Sequence, residues 1–211
     1  MKIKFFLIFV MTIPVYPQLN VSAFVGVNPQ ENLIAKGDSY NHGAYSWESG
    51  IILGIESEIF IFPSIALSPS VEYVYYAFDE YDERKEARFD NNSSISSTAD
   101  PVKVWRLFLE AKFFGNLTTT IPIYLTTGFG FLNENNGVIN RTVTYFFGNG
   151  PQIFDTTFKL KNSSFYVHTL GLGIRWRFLP NLSLDLNGKY LSNYSDRMYA
   201  AVKFGLVYTV F

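Results

Sequence analysis

YAAVKFGLVYTVF, residues 199–211, is the stretch on which the fold turns. Taken by parity, Ala200, Val202, Phe204, Leu206, Tyr208 and Val210 form one unbroken apolar row. The other row is Ala201, Lys203, Gly205, Val207 and Thr209. Alternation with a period of two is the mark of a β-strand with two unlike faces. A dispensable tail would be polar and frayed. This segment is patterned to its last residue, so Phe211 is expected to carry a role.

The same alternation recurs in seven earlier segments, 19–28, 48–61, 67–78, 102–114, 122–132, 165–178 and 182–191. In LNVSAFVGV the apolar row is Leu19, Val21, Ala23, Val25 and Val27. In VKVWRLFLEAKFF it is Trp105, Leu107, Leu109, Ala111 and Phe113. In SGIILGIESEIFI it is Ile51, Leu53, Ile55, Ile59 and Ile61, with Ser57 interrupting. Outside the N-terminal segment there is no helical periodicity, and the reading is all-β. Connections marked by Pro63, Pro122 and Pro180 are short, whereas those at 28–47, 79–101 and 133–164 are long. One end of the sheet is therefore tightly turned and the other carries loops. Within the third loop, VTYFFGNGPQIFDTTFK reads as a hairpin above the sheet; entering the sheet, it would raise the strand count from eight to ten.

A chain of 211 residues suits one domain large enough for a closed sheet. With 17% charged residues and a net charge of −1, it offers a nucleic acid no electrostatic support. The absence of cysteine excludes a disulfide framework and thiolate metal sites. MKIK followed by FFLIFVMTIPV has the build of a secretory signal peptide and is too short to span a membrane as a helix. A cut near Gln18 is expected, giving a signal at 1–18 and a barrel at 19–211.

Alternation does not say which face points outward: a lipocalin keeps its apolar face inside, a membrane barrel reverses that. Three features favour the reversed case. The apolar rows hold no charge, as lipid contact requires. The opposite row holds Gly26, Gly50, Gly54, Gly128, Gly130, Gly171, Gly173 and Gly205 together with a balanced set of acids and bases. Small residues and compensating charges suit a narrow interior in which an unpaired charge is costly. Trp105, Tyr166, Trp176, Phe178, Tyr190 and Tyr208 lie toward the ends of the apolar rows, as aromatic girdles do at two membrane interfaces.

These features resemble the small eight-stranded outer-membrane β-barrels of Gram-negative bacteria, the OmpA/OmpX-like porin-type family. The resemblance covers signal, eight strands, short turns, long loops and the terminal Phe211. It implies a closed up-and-down transmembrane barrel in the bacterial outer membrane. It also implies that the last strand and Phe211 are read by the barrel-assembly machinery. One departure is visible: stepping back from Phe211 by twos meets Thr209, Val207, Gly205 and Lys203, where the family usually keeps apolar residues.

The inward charges are the most informative chemistry. They are Glu56, Glu58, Glu72, Arg106, Glu110, Lys112, Arg175, Arg177, Asp185, Lys189 and Lys203, with Glu48 at the loop end. Pairing around the Leu179–Leu182 turn sets Arg175 opposite Asp185; similar pairing sets Glu56 near Glu72 and Lys189 near Lys203. Acids then gather on one wall and bases on the other, and the expectation is that ion pairs plug the lumen. His42 and His168 are the two histidines. Lipid-A-modifying barrels use a His with a Ser and an acid, but VHTLG supplies no such partners, so no catalytic residue is assigned. The loop DEYDERKEARFDNNSSISSTAD is a solvated charged segment before it is a cation site. No metal or cofactor is expected.

The sequence thus predicts a monomeric, non-enzymatic outer-membrane barrel in contact with lipid, its long loops meeting an unidentified ligand. Porin-like passage of small solutes or ions is the alternative.

Overall fold

The structure, a computed structural model, describes residues 18–29, 49–78, 93–135, 137–147, 150–159, 161–193 and 198–210. The N-terminal segment through residue 17, His42, Glu48, most of the charged loop and Phe211 lie outside the described residues. Eleven strands are described: β1 (Leu19–Asn28), β2 (Gly50–Phe62), β3 (Ile65–Tyr76), β4 (Ser93–Ala99), β5 (Val102–Phe114), β6 (Ile123–Asn135), β7 (Val138–Phe147), β8 (Gly150–Lys159), β9 (Ser163–Leu179), β10 (Leu182–Ser192) and β11 (Met198–Thr209).

Eight of these strands close into an antiparallel barrel in the order β1-β2-β3-β5-β6-β9-β10-β11, and β11 returns to pair with β1. The closing seam runs from Asn20 opposite Thr209 to Val27 opposite Val202. Closure leaves no barrel strand with an unpaired edge, the condition for crossing lipid with β-structure. The β2–β3 turn is tighter than the sequence suggested. Phe62 already pairs with Ile65, leaving only Pro63 and Ser64 between the strands, and the register shifts between Phe60 and Phe62. The β2–β3 ladder passes from Glu56 opposite Ser70 to Ile59 opposite Leu67, and Ser57, the break in the β2 apolar row, lies in that gap with Pro69, which has no N–H to donate.

The outer wall is apolar all the way round. Ile55 is 62% exposed, Leu109 56%, Phe129 65% and Phe204 51%, whereas the intervening residues point inward and are buried. A contiguous apolar surface of this extent is not sustained by water. Trp105, Tyr73 and Tyr166 stand on that wall near the loop end, and Trp176, Phe178 and Tyr208 near the turn end. The wall is therefore the lipid-facing surface of a transmembrane barrel.

The hairpin β7–β8 does not enter the barrel. It joins β4 in a separate three-stranded sheet of order β4-β7-β8, so the barrel count is eight. Strand β4, SSISSTA, was not anticipated, because serine and threonine carry most of its positions and its apolar alternation is faint. Ile139 on β7 is fully buried in the apolar cluster at the barrel mouth and anchors the sheet there. One face of the sheet is mostly small polar groups, with Ser94, Ser96 and Thr98 beside Thr144, Thr142 and Asn140, then Asp155 and Thr157, and the apolar Ile153 at its outer corner. Thr142 donates to Asp155 at 2.7 Å and Thr157 to Asn140 at 3.0 Å.

Candidate functional site

The barrel interior is built in layers along its axis. At the turn end, Phe60, Ala66, Phe114 and Tyr124 form a small apolar cluster against Leu117. Phe60 stacks on Phe114 at 5.5 Å, and Phe114 meets Tyr124 at 5.0 Å. At the loop end, Ile52, Val74, Tyr76, Val102, Val104, Leu132, Val167, Leu191 and Ala201 converge with Ile139 in a second, larger cluster. Between the two lies a belt of charge.

Arg175 bridges the belt's lower part. Its guanidinium donates to both oxygens of Glu58, at 2.7 and 2.6 Å, and through Nε to Asp185 at 3.0 Å. Paired N–H donors on one carboxylate make the strongest and most directional form of ion pair. Lys112 donates to Glu56 and, at 2.6 Å, to Glu58. Tyr124 donates to Asp185 at 2.5 Å, and Asn20 to Glu58 at 2.9 Å.

Glu72 is the hub of the upper part. It accepts from Lys189 at 3.1 Å and Lys203 at 3.0 Å, and Arg106 lies 4.0 Å away. Lys189 also reaches Glu110 at 3.2 Å. Arg106 turns its other donors to Asn28 at 3.0 Å and to the Tyr76 hydroxyl at 2.9 Å, tying the belt to the loop-end cluster.

Aromatic rings complete the cation sites, which the sequence reading missed. Lys189 sits 3.6 Å from the Phe108 ring centre, Lys203 4.4 Å from Phe24, Lys112 5.0 Å from Tyr124 and Arg175 5.1 Å from Phe114. A cation over a ring face gains electrostatic attraction where water is excluded. Three of these rings lie directly opposite a glycine: Phe24 faces Gly54, Phe108 faces Gly130 and Tyr124 faces Gly173. A Cβ at any of the three glycines would fall on the ring of its partner. Each glycine thus lets a ring lie across the neighbouring strand and offer its face to the lumen. Replacing Gly130 with alanine should displace Phe108 from beneath Lys189 and cost about 1–3 kcal/mol through overpacking, read as a lower urea midpoint of the folded barrel.

Of the charges singled out in the sequence, Glu56, Glu58, Glu72, Arg106, Glu110, Lys112, Arg175, Asp185, Lys189 and Lys203 meet in the belt. Arg177 does not. It lies at the turn end and donates to the Leu117 carbonyl at 2.8 Å, with no ion pair among the described residues. Arg175 faces Asp185 across β9 and β10. Glu56 faces Ser70 rather than Glu72, and Lys203 faces Asn187 rather than Lys189, so both like-charge pairs stand on diagonals.

His168 lies on the outer wall, its ring 5.1 Å from Phe129. The register places Ser192 directly across from it on β10, a neighbour that linear spacing hides. The adjoining outward positions Thr127, Phe131, Tyr166, Leu170 and Tyr190 supply no carboxylate.

No protein-family model matches the chain, and no characterised protein matches it by sequence. Solved structures do. The attachment invasion locus protein Ail of Yersinia pestis is similar over 91% of this chain and 97% of its own, at a TM-score of 0.50 and 12% identity. The N-terminal β-barrel domain of Pseudomonas aeruginosa OprF is similar over 91% and 96%, at 0.48 and 10%. The outer membrane protein OprG from Pseudomonas aeruginosa is similar over 91% and 95%, at 0.49 and 9%. The likeness to Ail is one of fold: this chain has the fold of the small eight-stranded outer-membrane β-barrels.

Proposed function

We propose that the chain is a non-enzymatic protein of the bacterial outer membrane whose barrel is a sealed scaffold and whose work is done at its loop end. The observation that carries this reading is the filled lumen. Apolar clusters close the turn end and the mouth, and the charges between them are spent on one another. An eight-stranded interior is just wide enough for side chains to fill, and here they fill it. Among the described residues, what the loop end offers a partner is the three-stranded sheet above the mouth, beside the long loops at 28–47 and 79–101. Its hydroxyl-rich face is exposed, and Phe146, Ile153 and Phe154 are half-exposed or more near the hairpin tip. Loops held on a rigid scaffold are where binding normally resides. Ail bears the name of an attachment and invasion protein, so a surface role is compatible with this fold.

In this reading residues 1–18 direct export, outer-membrane lipid covers the apolar wall, and the barrel-assembly machinery reads the last strand with Phe211. The barrel works as a monomer. Reconstituted in planar bilayers, the full chain is expected to give no single-channel steps. Stepwise currents that change with Arg175→Glu would overturn the sealed lumen and establish passage of ions or small solutes.

A further inference from the structure

The belt divides into two groups of unlike net charge. The upper group sets Arg106, Lys189 and Lys203 against Glu72 and Glu110, an excess of one positive charge. The lower group sets Lys112 and Arg175 against Glu56, Glu58 and Asp185, an excess of one negative charge. No ion pair within 4.0 Å joins the groups among the described residues. Between them lies a cavity of about 10 Å³, lined by Glu110 and Lys203 from above, by Glu56, Lys112 and Asp185 from below, and by Thr126. A cavity needs about 10–15 Å³ to admit one water, so this space is at the size for a single molecule and no more.

Two of the lining residues have unmet bonding capacity. Thr126 Oγ1 is buried and has no hydrogen-bond partner, and Glu110 Oε1, although 3.2 Å from the Lys189 ammonium, accepts no well-aligned hydrogen bond; each residue is only 1% exposed. A buried hydroxyl left unpaired is costly, and such groups in native proteins usually bind ordered water; the Glu110 carboxylate has lone pairs to spare for the same water. The site is polar and offers both donors and acceptors, the condition for a bound water and not for a dry void.

We propose that this cavity is a binding site for one structural water, which donates to Glu110, exchanges a hydrogen bond with Thr126 and links the two oppositely charged halves of the belt. Water suits the site better than a sodium-sized cation, because Lys112 and Lys203 already line it. The bound molecule belongs to the barrel's core and leaves the sealed lumen sealed.

Gly205 lines the same cavity, and its strand geometry supplies the test. A methyl there would meet the Phe24 Cβ at 3.1 Å and the Ala23 carbonyl at 3.3 Å, tight contacts but not overlaps. Gly205→Ala therefore puts an apolar group in the water's space while leaving every charge in place. The probes are the electron density of the wild-type barrel and urea unfolding of both proteins in phospholipid, with a heat-dependent gel shift to show that each variant has closed. Expected are density for one water within hydrogen-bond distance of Glu110 and Thr126, and a fall of about fivefold to tenfold in the folded-to-unfolded ratio for Gly205→Ala. Thr126→Val, which removes the hydroxyl without adding volume, should lose the density as well. A dry cavity, with Gly205→Ala as stable as wild type or more so, overturns the proposal. So does anomalous density at the site after a rubidium soak, which would make the occupant a cation. Channel activity in the bilayer assay would strike the sealed-scaffold reading without touching this one.

Discussion

Glu72→Ala is expected to cost about 3–5 kcal/mol of barrel stability, the penalty for removing one partner from a buried charge network. Glu72 is fully buried and accepts from two lysines while facing a third cation, Arg106. Without it, Lys203 keeps no ion pair among the described residues, and Lys189 keeps only Glu110. The faces of Phe24 and Phe108 remain beneath those lysines, but a ring offers about 0.5–2 kcal/mol and does not replace a carboxylate. Apolar layers above and below bar water from repairing the loss. Equilibrium unfolding in urea, with the protein in phospholipid, reads the effect directly. A double replacement sharpens it: Glu72→Leu with Lys203→Met removes a cation along with the hub and should recover part of the loss, because a buried pair exchanged for apolar groups is often near neutral. A cost below about 1 kcal/mol for Glu72→Ala would show that water enters the belt freely, contrary to a sealed lumen.

The parts of this architecture that were legible in the sequence are those that parity determines. Period-two alternation says which side of a strand a residue occupies, so Lys203 and Phe204 were assigned to opposite faces from LVYTVF and its neighbours alone. The even balance of inward charge pointed to neutralisation inside a confined space. Parity is silent about height along the axis. Whether Lys189 meets Glu72 or Glu110 depends on strand tilt and stagger around the closed barrel, and those partners stand 117 and 79 residues apart. The Lys203–Glu72 contact spans 131 residues. The inward aromatics were missed for a different reason. Phe24, Phe108 and Tyr124 stand on the polar row, and each is the partner of a glycine that only the register reveals. The sheet above the mouth escaped because β4 gives no apolar signal; its place is set by β7, 40 or more residues further along.

Leu109→Arg is the sharpest test of which face meets lipid. Leu109 lies midway along β5, 56% exposed, between Pro69 on β3 and Phe129 on β6. Trp105 and Phe113 flank it toward the two ends of the same outward row. Arginine there should cost about 2–4 kcal/mol in bilayer-embedded protein, because near the midplane its guanidinium must either lose its hydration or drag water and headgroups inward. The same change at Trp176, in the turn-end girdle, should cost only about 0–1 kcal/mol from the charge, since the long side chain reaches the interface. The depth dependence is the decisive quantity. A soluble barrel with this wall in water would tolerate arginine at either position to within about 0.5 kcal/mol. Its apolar core would then lie on the opposite parity, where Glu58, Glu72, Glu110 and Lys189 actually stand. The two arrangements demand opposite outcomes from one substitution. The buried charges and the exposed leucines are therefore a single statement about solvent: the wall that excludes charge is the wall that meets hydrocarbon, and the loop end is left to meet everything else.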